Sequence, residues 1–542
     1  MKSVLLVLSL LGSVALSAEY AEFYTGYDDF DLVHDLGSAG QCQEGLWHLT
    51  KLGDEVCIKE LGCFKLSKDF YHPQYRPCNV LPEPRSLINT RFVLFTRNNV
   101  HQGRFINADN ETSIRESGFN ANHTTRVIVH GYQENPLHDA WVLIMMKEFL
   151  NQNDTNVIVV DWSKGSQEPY IQAVANARIV GAEIARMVNA LKKFGNLTTS
   201  MLHIVGHGLG AHVAGYAGQS ILPMVQRITG LDPAYKFFCN MPENVRLDSR
   251  DAEFVDIIHT ELKEYDSGHG GCHKLGHVDF FPNDQTVATH PYHEVVGDHQ
   301  KAASLFISTI RNRTCKMIGY WCRSYKAFLR GECGDCGSDG SQCALMGFQA
   351  DQYEPFKNSN FSSMYLVTGS YPNFCVYEYR LRMLLENTDP GLEMHTKTGN
   401  LLLLLRGERK PLFVPLRSLK ETHILEQFLS SLTELSLNCS LIRFRFFSMH
   451  SGKEYTFLVT SSVNIGEIQN VTVRWQEQGV YDERWHSGEA VWFFQNSNVN
   501  IERINVTRLN FEPSEEMRGP TETSFCQDGS ENGWTLYFPN CN

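Results

Sequence analysis

A glycine stands where a hydrolase would need its nucleophile in the pentapeptide GHGLG, residues 206–210. The apolar stretch MLHIVGHG leads into it, and a helix-like run of small residues, LGAHVAGYAGQS, follows it. A strand, a G-x-S-x-G turn and a helix form the nucleophile elbow of α/β-hydrolases, in which the sharp turn exposes a serine hydroxyl beside an oxyanion hole. Gly208 occupies the serine position. Taken alone, the pattern fits a glycine-rich turn between a strand and a helix equally well.

The length, the N-terminal sequence and the net charge of the chain indicate its domain number and its cellular location. A length of 542 residues predicts two domains. A basic start, a short apolar run and small residues predict a secretory signal peptide over residues 1–18. No later apolar run approaches the roughly 20 residues that span a bilayer. The net charge of -13 argues against nucleic acid as a partner. We therefore expect a secreted, extracellular protein without a transmembrane segment.

Cysteines and glycosylation sequons agree with export. Fifteen cysteines in an exported chain should mostly form disulfides. The N-x-S/T sequons predict a glycoprotein, although single sequons are weak signals. There are nine of them, at Asn110, Asn122, Asn153, Asn196, Asn312, Asn360, Asn438, Asn470 and Asn505.

The elements around the turn divide the chain in two. After an N-terminal arm over 19–55, apolar strands such as TRVIVHGY and NVIVVDW alternate with helix-like segments such as ANARIVGAEIARMVNALKKF. This alternation predicts a mostly parallel sheet with flanking helices over 56–374. From 375 to 542 short alternating strands separated by turn residues predict a β-sandwich, with one helix-like segment, LKETHILEQFLSSL.

Several longer segments carry a family resemblance. They include NTRFVLFT, HIVGHGLGAHVAGYAG, RITGLDPA, VRLDSRDAEFVDIIHT and GHVDFFPN. On these segments the chain resembles the pancreatic triacylglycerol lipase family over nearly its whole mature length. That family consists of secreted lipases and phospholipases A1 with an α/β-hydrolase domain followed by a PLAT-type β-sandwich. The resemblance implies that GHGLG is a lipase elbow and that residues 375–542 form a PLAT-like domain.

The resemblance also implies roles for single residues. Asp232 in TGLDPA matches the acid of the catalytic triad and His299 in GDHQKA matches its histidine, in the chain order of the hydrolase fold. The backbone N–H groups of Tyr132 and Leu209 match the oxyanion hole, which main chain alone can form. Without the resemblance, Asp232 would be interpreted as a turn residue and His299 as a surface histidine.

A structural calcium ion is implied in the same way. Glu243, Arg246, Asp248 and Asp251 match a calcium-binding segment of several of these lipases. Carboxylates and carbonyls are suitable ligands for Ca²⁺. The alternative is a solvated acidic loop whose carboxylates pair with Arg246. No catalytic cofactor is expected.

Most disulfide pairings come from the resemblance as well. It implies Cys57–Cys63, Cys322–Cys333, Cys336–Cys343 and Cys526–Cys541, while Cys42–Cys78 is a guess. The remaining five cysteines are an odd number, so a free thiol or an intermolecular bridge is left open. They are Cys239, Cys272, Cys315, Cys375 and Cys439.

Gly208 and the short lid segment lead to the hypothesis about function. Losing the nucleophile of a serine triad costs about 2 × 10⁶ in kcat. The lid segment, Asp284–Asp298, is short and has no cysteine, which resembles the phospholipase A1 branch. We predict a lipase-family protein inactive as an esterase, which binds a lipid, a lipid surface or, through the C-terminal domain, a protein partner. The alternatives are an active secreted lipase or phospholipase A1 in lipid catabolism, with Gly208 a variant or sequence error, and a purely structural extracellular protein.

Overall fold

The structure is a computed structural model, and several predictions lie outside its described residues. These are the signal peptide over 1–18, the N-terminal arm up to residue 51, the lid segment up to residue 297, the helix-like segment over 419–432 and the sequons at Asn360 and Asn438. The structure describes residues 52–136, 139–260, 274–283, 298–312, 314–338, 340–352, 363–370, 374–386, 396–416, 447–450, 452–477, 501–509, 522–527, 531–532 and 535–541.

The chain divides into two compact units. The first comprises residues 1–280 and 292–311, and the second comprises 281–291 and 312–542. The predicted domain boundary between 374 and 375 stays a prediction.

The first unit contains a large, mostly parallel sheet. Its strands follow the order β10-β9-β8-β7-β5-β6-β3-β4. Neighbours from β10 to β6 are parallel, whereas β3 and β4 add antiparallel pairs at one end. A separate hairpin of β1 and β2 precedes the sheet. The strands are β1 (Glu55–Ile58), β2 (Gly62–Lys65), β3 (Arg91–Phe95), β4 (Arg104–Ile106), β5 (Thr124–Val129), β6 (Thr155–Asp161), β7 (Leu202–His207), β8 (Val225–Leu231), β9 (Ala252–Ile258) and β10 (Val278–Pro282), the last at the boundary between the units.

Helices connect these strands and cover the sheet. Strands β6 and β7 are buried along their whole length, as expected when helices cover both faces of a parallel sheet. The predicted α/β-hydrolase fold is therefore confirmed. The helices of this unit are α1 (Arg85–Ile88), α2 (Glu111–Arg115), α3 (Ala140–Gln152), α4 (Ser163–Ser166), α5 (Tyr170–Gly195), α6 (Leu209–Ser220) and α7 (Asp298–Arg311), with 3₁₀ turns at Lys68–Phe70, Thr199–Met201, Glu243–Val245 and Ser249–Asp251.

The second unit is mostly antiparallel β structure. Its last part contains one sheet in the order β18-β14-β20-β21 and another in the order β16-β15-β19-β23-β22, with β17 paired to β15. Side chains from both sheets share one apolar cluster, which includes Leu381, Leu403 and Phe525. The expected C-terminal β domain is thus present. The elements are β11 (Ile318–Trp321), α8 (Tyr325–Leu329), β12 (Cys343–Leu345), a 3₁₀ turn (Ala350–Gln352), β13 (Ser363–Leu366), β14 (Tyr377–Leu385), β15 (Thr396–Gly407), β16 (Pro411–Leu416), β17 (Phe447–His450), β18 (Glu454–Ser461), β19 (Ile468–Glu477), β20 (Ile501–Arg508), β21 (Glu522–Cys526), β22 (Glu531–Asn532) and β23 (Thr535–Pro539).

The disulfides confirm the pairings that the resemblance implied and add one. The bridges Cys57–Cys63, Cys322–Cys333, Cys336–Cys343 and Cys526–Cys541 are all formed. Cys315 and Cys375, which the sequence left unassigned, form a fifth bridge. Cys78 and Cys239 are also disulfide-bonded. Cys42 lies outside the described residues, so the pairing Cys42–Cys78 stays a prediction.

Candidate functional site

The turn at residues 206–210 has the geometry of an elbow. Strand β7 ends at His207, Gly208 has φ +54° and ψ −117°, and α6 begins at the next residue. A Cβ atom on Gly206 would lie 2.3 Å from the carbonyl oxygen of Gly210, and one on Gly210 would lie 2.4 Å from that of Val129. The start of α6 therefore lies too close to β7 for a side chain at position 206, and too close to the end of β5 for one at position 210. Gly208 itself adopts a conformation that glycine reaches most easily.

Main-chain hydrogen bonds hold Gly208 in place. Its N–H donates to the carbonyl oxygen of Leu231 (2.9 Å). Its carbonyl accepts from the N–H groups of Ala211 (3.2 Å) and Ala234 (3.1 Å). Ala234 lies two residues beyond Asp232, so the elbow is bonded to the loop that carries the predicted triad acid. No side chain at position 208 is needed for this arrangement.

Asp232 and His299 are brought together as the resemblance implied. Asp232 directly follows β8, and His299 lies in the first turn of α7. Their atoms Oδ2 and Nδ1 are 2.7 Å apart. The other carboxylate oxygen of Asp232 accepts from the N–H of Thr260 (2.8 Å). A carboxylate held in this way keeps a proton on Nδ1, so that Nε2 is the nitrogen able to take one up.

The Nε2 atom of His299 faces the elbow. A Cβ atom built on Gly208 would lie 2.7 Å from Nε2 and 3.2 Å from Cε1 of the imidazole. The position where a serine side chain would start is therefore directly in front of the imidazole. Gly208, Asp232 and His299 therefore lie together, in the arrangement that the resemblance implied. Their catalytic roles stay predictions.

The predicted oxyanion-hole residues flank the elbow. Leu209 is the first residue of α6, so its N–H has no acceptor within its own helix. Tyr132 lies in the loop after β5, with its ring edge-on to Tyr170 at 4.9 Å. Trp162 fixes this loop, because its N–H and its indole Nε1–H donate to Nε2 and to the carbonyl oxygen of His130 (3.1 and 2.9 Å).

A buried charge pair beside the elbow was not singled out from the sequence. Nδ1 of His207 lies 2.7 Å from Oε1 of Glu134. Oε2 of Glu134 accepts from the N–H of Gly131 (2.5 Å), and Nε2 of His207 donates to the carbonyl oxygen of His299 (3.0 Å). The pair therefore connects the loop after β5, the elbow and the start of α7. In the motif His207 fills only a variable position, and nothing in the sequence marks Glu134 as buried.

Electrostatics keep both members of this pair charged. Burial by itself would lower the pKa of His207, but the Glu134 carboxylate raises that pKa to about 9. Burial would likewise raise the pKa of Glu134, but His207 and the Gly131 N–H lower it to about 2. An opposite charge at hydrogen-bonding distance outweighs desolvation here. Between these values His207 is an imidazolium and Glu134 a carboxylate.

The predicted calcium segment contains two linked aspartates. Asp248 and Asp251 form a capping box around a 3₁₀ turn, in which the Asp248 N–H donates to Oδ2 of Asp251 (2.8 Å). Arg246 lies 3.3 Å from Asp248, and the side chain of Glu243 pairs with Arg250. Among the residues that the structure describes, no three His, Cys, Asp or Glu side chains are grouped to hold a metal ion.

The donor chemistry still fits a cation at the two aspartates. Burial, together with the neighbouring Asp248, raises the pKa of Asp251 to about 7, although backbone and side-chain hydrogen bonds oppose this shift. A cation beside the carboxylates would offset that cost. Because the Glu243 side chain pairs with Arg250 and Arg246 is itself a cation, these two residues could contribute only main-chain oxygens.

None of the helices that the structure describes is both long and apolar enough to cross a bilayer.

Comparisons with known proteins agree with the fold. The family model described as Lipase matches residues 54–374. Pancreatic lipase-related protein 2 of Cavia porcellus is 34% identical over 431 residues, which cover 79% of this chain and 90% of that protein. Pancreatic triacylglycerol lipase of Myocastor coypus is 37% identical over 375 residues, covering 66% of this chain and 79% of that protein. The residues matched by the family model include the elbow, Asp232, His299 and Tyr132, and on these grounds the chain belongs to the lipase family, with pancreatic lipases among its relatives.

Proposed function

We propose that this protein is a secreted lipase-family member that does not hydrolyse esters and that binds lipid instead. The observation that carries the proposal is the position in front of Nε2 of His299, where Gly208 offers no atom that could attack a carbonyl. Neither neighbour can replace it, because His207 is engaged by Glu134 and Leu209 is apolar and buried. Loss of a triad nucleophile lowers kcat by about 2 × 10⁶.

What remains around Gly208 supports binding. Main-chain donors and the Asp232–His299 pair do not depend on a serine. In triad enzymes that lack their nucleophile, such groups and substrate binding still accelerate the reaction roughly 10³–10⁴-fold over water, so the site keeps its affinity for the substrate. One relative is by name a triacylglycerol lipase, which makes acyl glycerols the natural ligand class. With a net charge of -13, the protein gains no electrostatic attraction to anionic lipid, so we propose a neutral or zwitterionic lipid surface.

The proposal also assigns a role to the N-terminal segment and to the C-terminal β domain. Residues 1–18 act as the signal peptide that directs secretion, which the apolar run after Lys2 supports. The C-terminal β domain is PLAT-like and offers a second surface for lipid or for a protein partner. Support for this assignment comes from its two antiparallel sheets around one apolar cluster.

A second candidate function is an active secreted lipase or phospholipase A1. The 2.7 Å contact between His299 and Asp232 favours it, because a chain that had lost its nucleophile would not need to keep a polarised imidazole. In that case Gly208 is a variant, and the natural chain has a serine at this position.

An assay of the secreted protein separates these functions. We expect no turnover of short-chain esters or phosphatidylcholine above background and no labelling by a serine-directed phosphonate probe, because no side-chain oxygen lies in front of His299. We also expect the protein to float with phosphatidylcholine vesicles in a density gradient. The variant His299→Ala controls for contaminating esterases, since it should change nothing. Turnover or labelling that disappears in His299→Ala would contradict the proposal and favour the active lipase.

We further propose a structural calcium site. Its ligands would be the carboxylates of Asp248 and Asp251 and the main-chain carbonyls of Glu243 and Arg246. Bound there, Ca²⁺ would screen the two buried carboxylates and fix the turn, and it would take no part in chemistry.

Thermal unfolding tests this site. A ligand at a hundredfold excess over its Kd stabilises the folded state by about 2.7 kcal/mol, so we expect calcium to raise the Tm and a chelator to lower it. Asp251→Asn should lose this response because it removes one of the two carboxylates. Asp109→Asn changes an exposed carboxylate that pairs with Arg186 and should retain it. Equal Tm values with and without calcium in the unmutated protein would rule the site out.

A further inference from the structure

We propose that three asparagines of the first unit, Asn122, Asn153 and Asn196, carry N-linked glycans that cluster on the side of the sheet opposite to Gly208 and His299. We call this side the amino edge, where the parallel strands β5, β6 and β7 begin. The inference rests on the proposed secretion, because the modification requires passage through the secretory route.

The first two sequons lie side by side. Asn122 and Asn153 each precede a strand by two residues, β5 and β6 respectively. The threonines that complete their sequons, Thr124 and Thr155, are paired in register. The Thr155 hydroxyl also donates to the carbonyl oxygen of Thr124 (2.7 Å). Because neighbouring strands are about 4.8 Å apart, both sequons reach the surface at one place.

The third sequon joins them from a helix. Asn196 is the residue at which α5 ends, in a left-handed conformation with φ +60°. The chain then enters β7, which pairs with β5 on the side opposite to β6. The helix returns the chain to the amino edge, so Asn196 lies at the same edge as the other two sequons.

The side chains at these positions are available for modification. All three asparagines are exposed, and their side-chain amides make no hydrogen bond within the described residues. In the reaction, the amide nitrogen forms a bond to the anomeric carbon of a lipid-linked oligosaccharyl pyrophosphate. The bond from that carbon to the phosphate oxygen breaks, the lipid pyrophosphate leaves and the nitrogen gives up one proton. After folding, each sugar would point into water.

Asn505 provides the contrast. This sequon lies within β20, where the asparagine Nδ2 donates to Glu522 (2.9 Å) and its Oδ1 atom is buried. A glycan there would break that bond and force the neighbouring strand β21 away. A match to the sequon alone does not distinguish Asn505 from the three exposed asparagines.

The opposite edge has no sequon in any segment that follows β5, β6, β7, β8, β9 or β10. Gly208, Asp232 and the exposed Tyr235 all lie at this carboxyl edge. Glycans at Asn122, Asn153 and Asn196 would therefore cover the amino edge with hydrophilic bulk and add none to the loops that carry Gly208 and Asp232. This arrangement suits a protein that turns its site toward a lipid surface.

Peptide mapping of the full chain, secreted from cultured animal cells, tests the assignment. After amidase deglycosylation, which converts each modified asparagine to aspartate, we expect conversion at all three exposed positions and none at Asn505. Asn122→Gln, Asn153→Gln and Asn196→Gln should each lower the intact mass by one glycan, whereas Asn505→Gln should lower it by none. Unmodified Asn122, Asn153 and Asn196 in secreted protein would overturn the inference, and so would a glycan on Asn505.

Vesicle flotation tests whether the glycans lie away from the lipid-binding side. It also separates the glycan assignment from the proposed lipid binding. We expect the same bound fraction on phosphatidylcholine vesicles before and after glycan removal. A several-fold gain on removal would place glycans on the lipid-binding side and overturn the inference. If neither form floats but all three glycans map as expected, lipid binding fails and the glycan assignment stands. A chain that is retained in the cytosol contradicts both.

Discussion

Gly208→Ser is expected to convert the protein into an ester hydrolase. The new oxygen would start from a Cβ atom directly in front of Nε2 of His299, which Asp232 holds at 2.7 Å through Nδ1. The main-chain donors at Leu209 and Tyr132 do not depend on the side chain at 208. Because removal of a triad nucleophile costs about 2 × 10⁶ in kcat, we expect the variant to regain at least several orders of magnitude on short-chain esters and to react with a phosphonate probe.

The variant should also be less stable than the unmutated protein. At φ +54° a residue with a side chain stores about 1–3 kcal/mol of strain. The built Cβ atom, at 2.7 Å from Nε2, further requires the imidazole to move back by a few tenths of an ångström. We therefore expect a lower Tm together with higher activity.

Gly208→Ala is the matched control. It has the same strain and the same contact with His299 but no oxygen, so it should lose stability as the serine variant does and remain inert. Labelling of Gly208→Ser by the probe without ester turnover would locate the defect in substrate access rather than in the triad. A folded Gly208→Ser that neither hydrolyses esters nor reacts with the probe would contradict the idea that only the nucleophile is missing.

Glu134→Gln is expected to destabilise the first unit by about 3–5 kcal/mol, the usual cost of removing one partner of a buried ion pair. His207 would be left without its counter-ion, next to the elbow and to the carbonyl oxygen of His299. Chemical denaturation near pH 5.5 measures the effect.

The pH dependence distinguishes loss of the charge pair from loss of packing. The folded-state pKa of His207, about 9, lies above its ordinary 6.5, so its contribution is complete below pH 6.5 and disappears as the pH rises through 9. The folded-state pKa of Glu134, about 2, lies below its ordinary 4.5, so its contribution is complete above pH 4.5 and disappears as the pH falls through 2. The difference between the unmutated protein and Glu134→Gln should therefore be largest between pH 4.5 and 6.5 and shrink toward pH 9.

Glu111→Gln is the control for this experiment. Glu111 forms an exposed ion pair with Arg115 within one helix, and such pairs contribute less than about 1 kcal/mol. Its effect should be small at every pH. A penalty for Glu134→Gln that is equally large at pH 5.5 and above pH 9 would show that the side chain acts through packing and not through charge.

The sequence predicted the elbow because the pentapeptide itself carries the signal. Gly206 is required by the close approach of β7 to the helix that follows it, whereas Gly210 is required by the end of β5, where the carbonyl oxygen of Val129 leaves no room for a side chain. The apolar runs that became β6 and β7 are equally local signals. The family resemblance then supplied Asp232 and His299, whose contact joins residues 67 positions apart in the chain.

What the sequence missed depends on tertiary burial. Glu134 and His207 are ordinary polar residues until the fold removes both from water and places them 2.7 Å apart. The bridge between Cys315 and Cys375 spans 60 positions, and a count of cysteines gives no information about which of them meet. The calcium segment shows the same limit, because the Asp248–Asp251 capping box depends on how the turn folds.

The hydrogen bonds of Gly208 have a consequence for how such proteins evolve. Both main-chain groups of this residue are bonded to the ends of β8 and α6, so the backbone keeps its course whether position 208 has a side chain or not. A single substitution at position 208 then separates a hydrolase from a non-hydrolytic binder. The protein stays folded on both sides of that change. A duplicated copy could cross that step while the fold and its other selected properties are inherited unchanged.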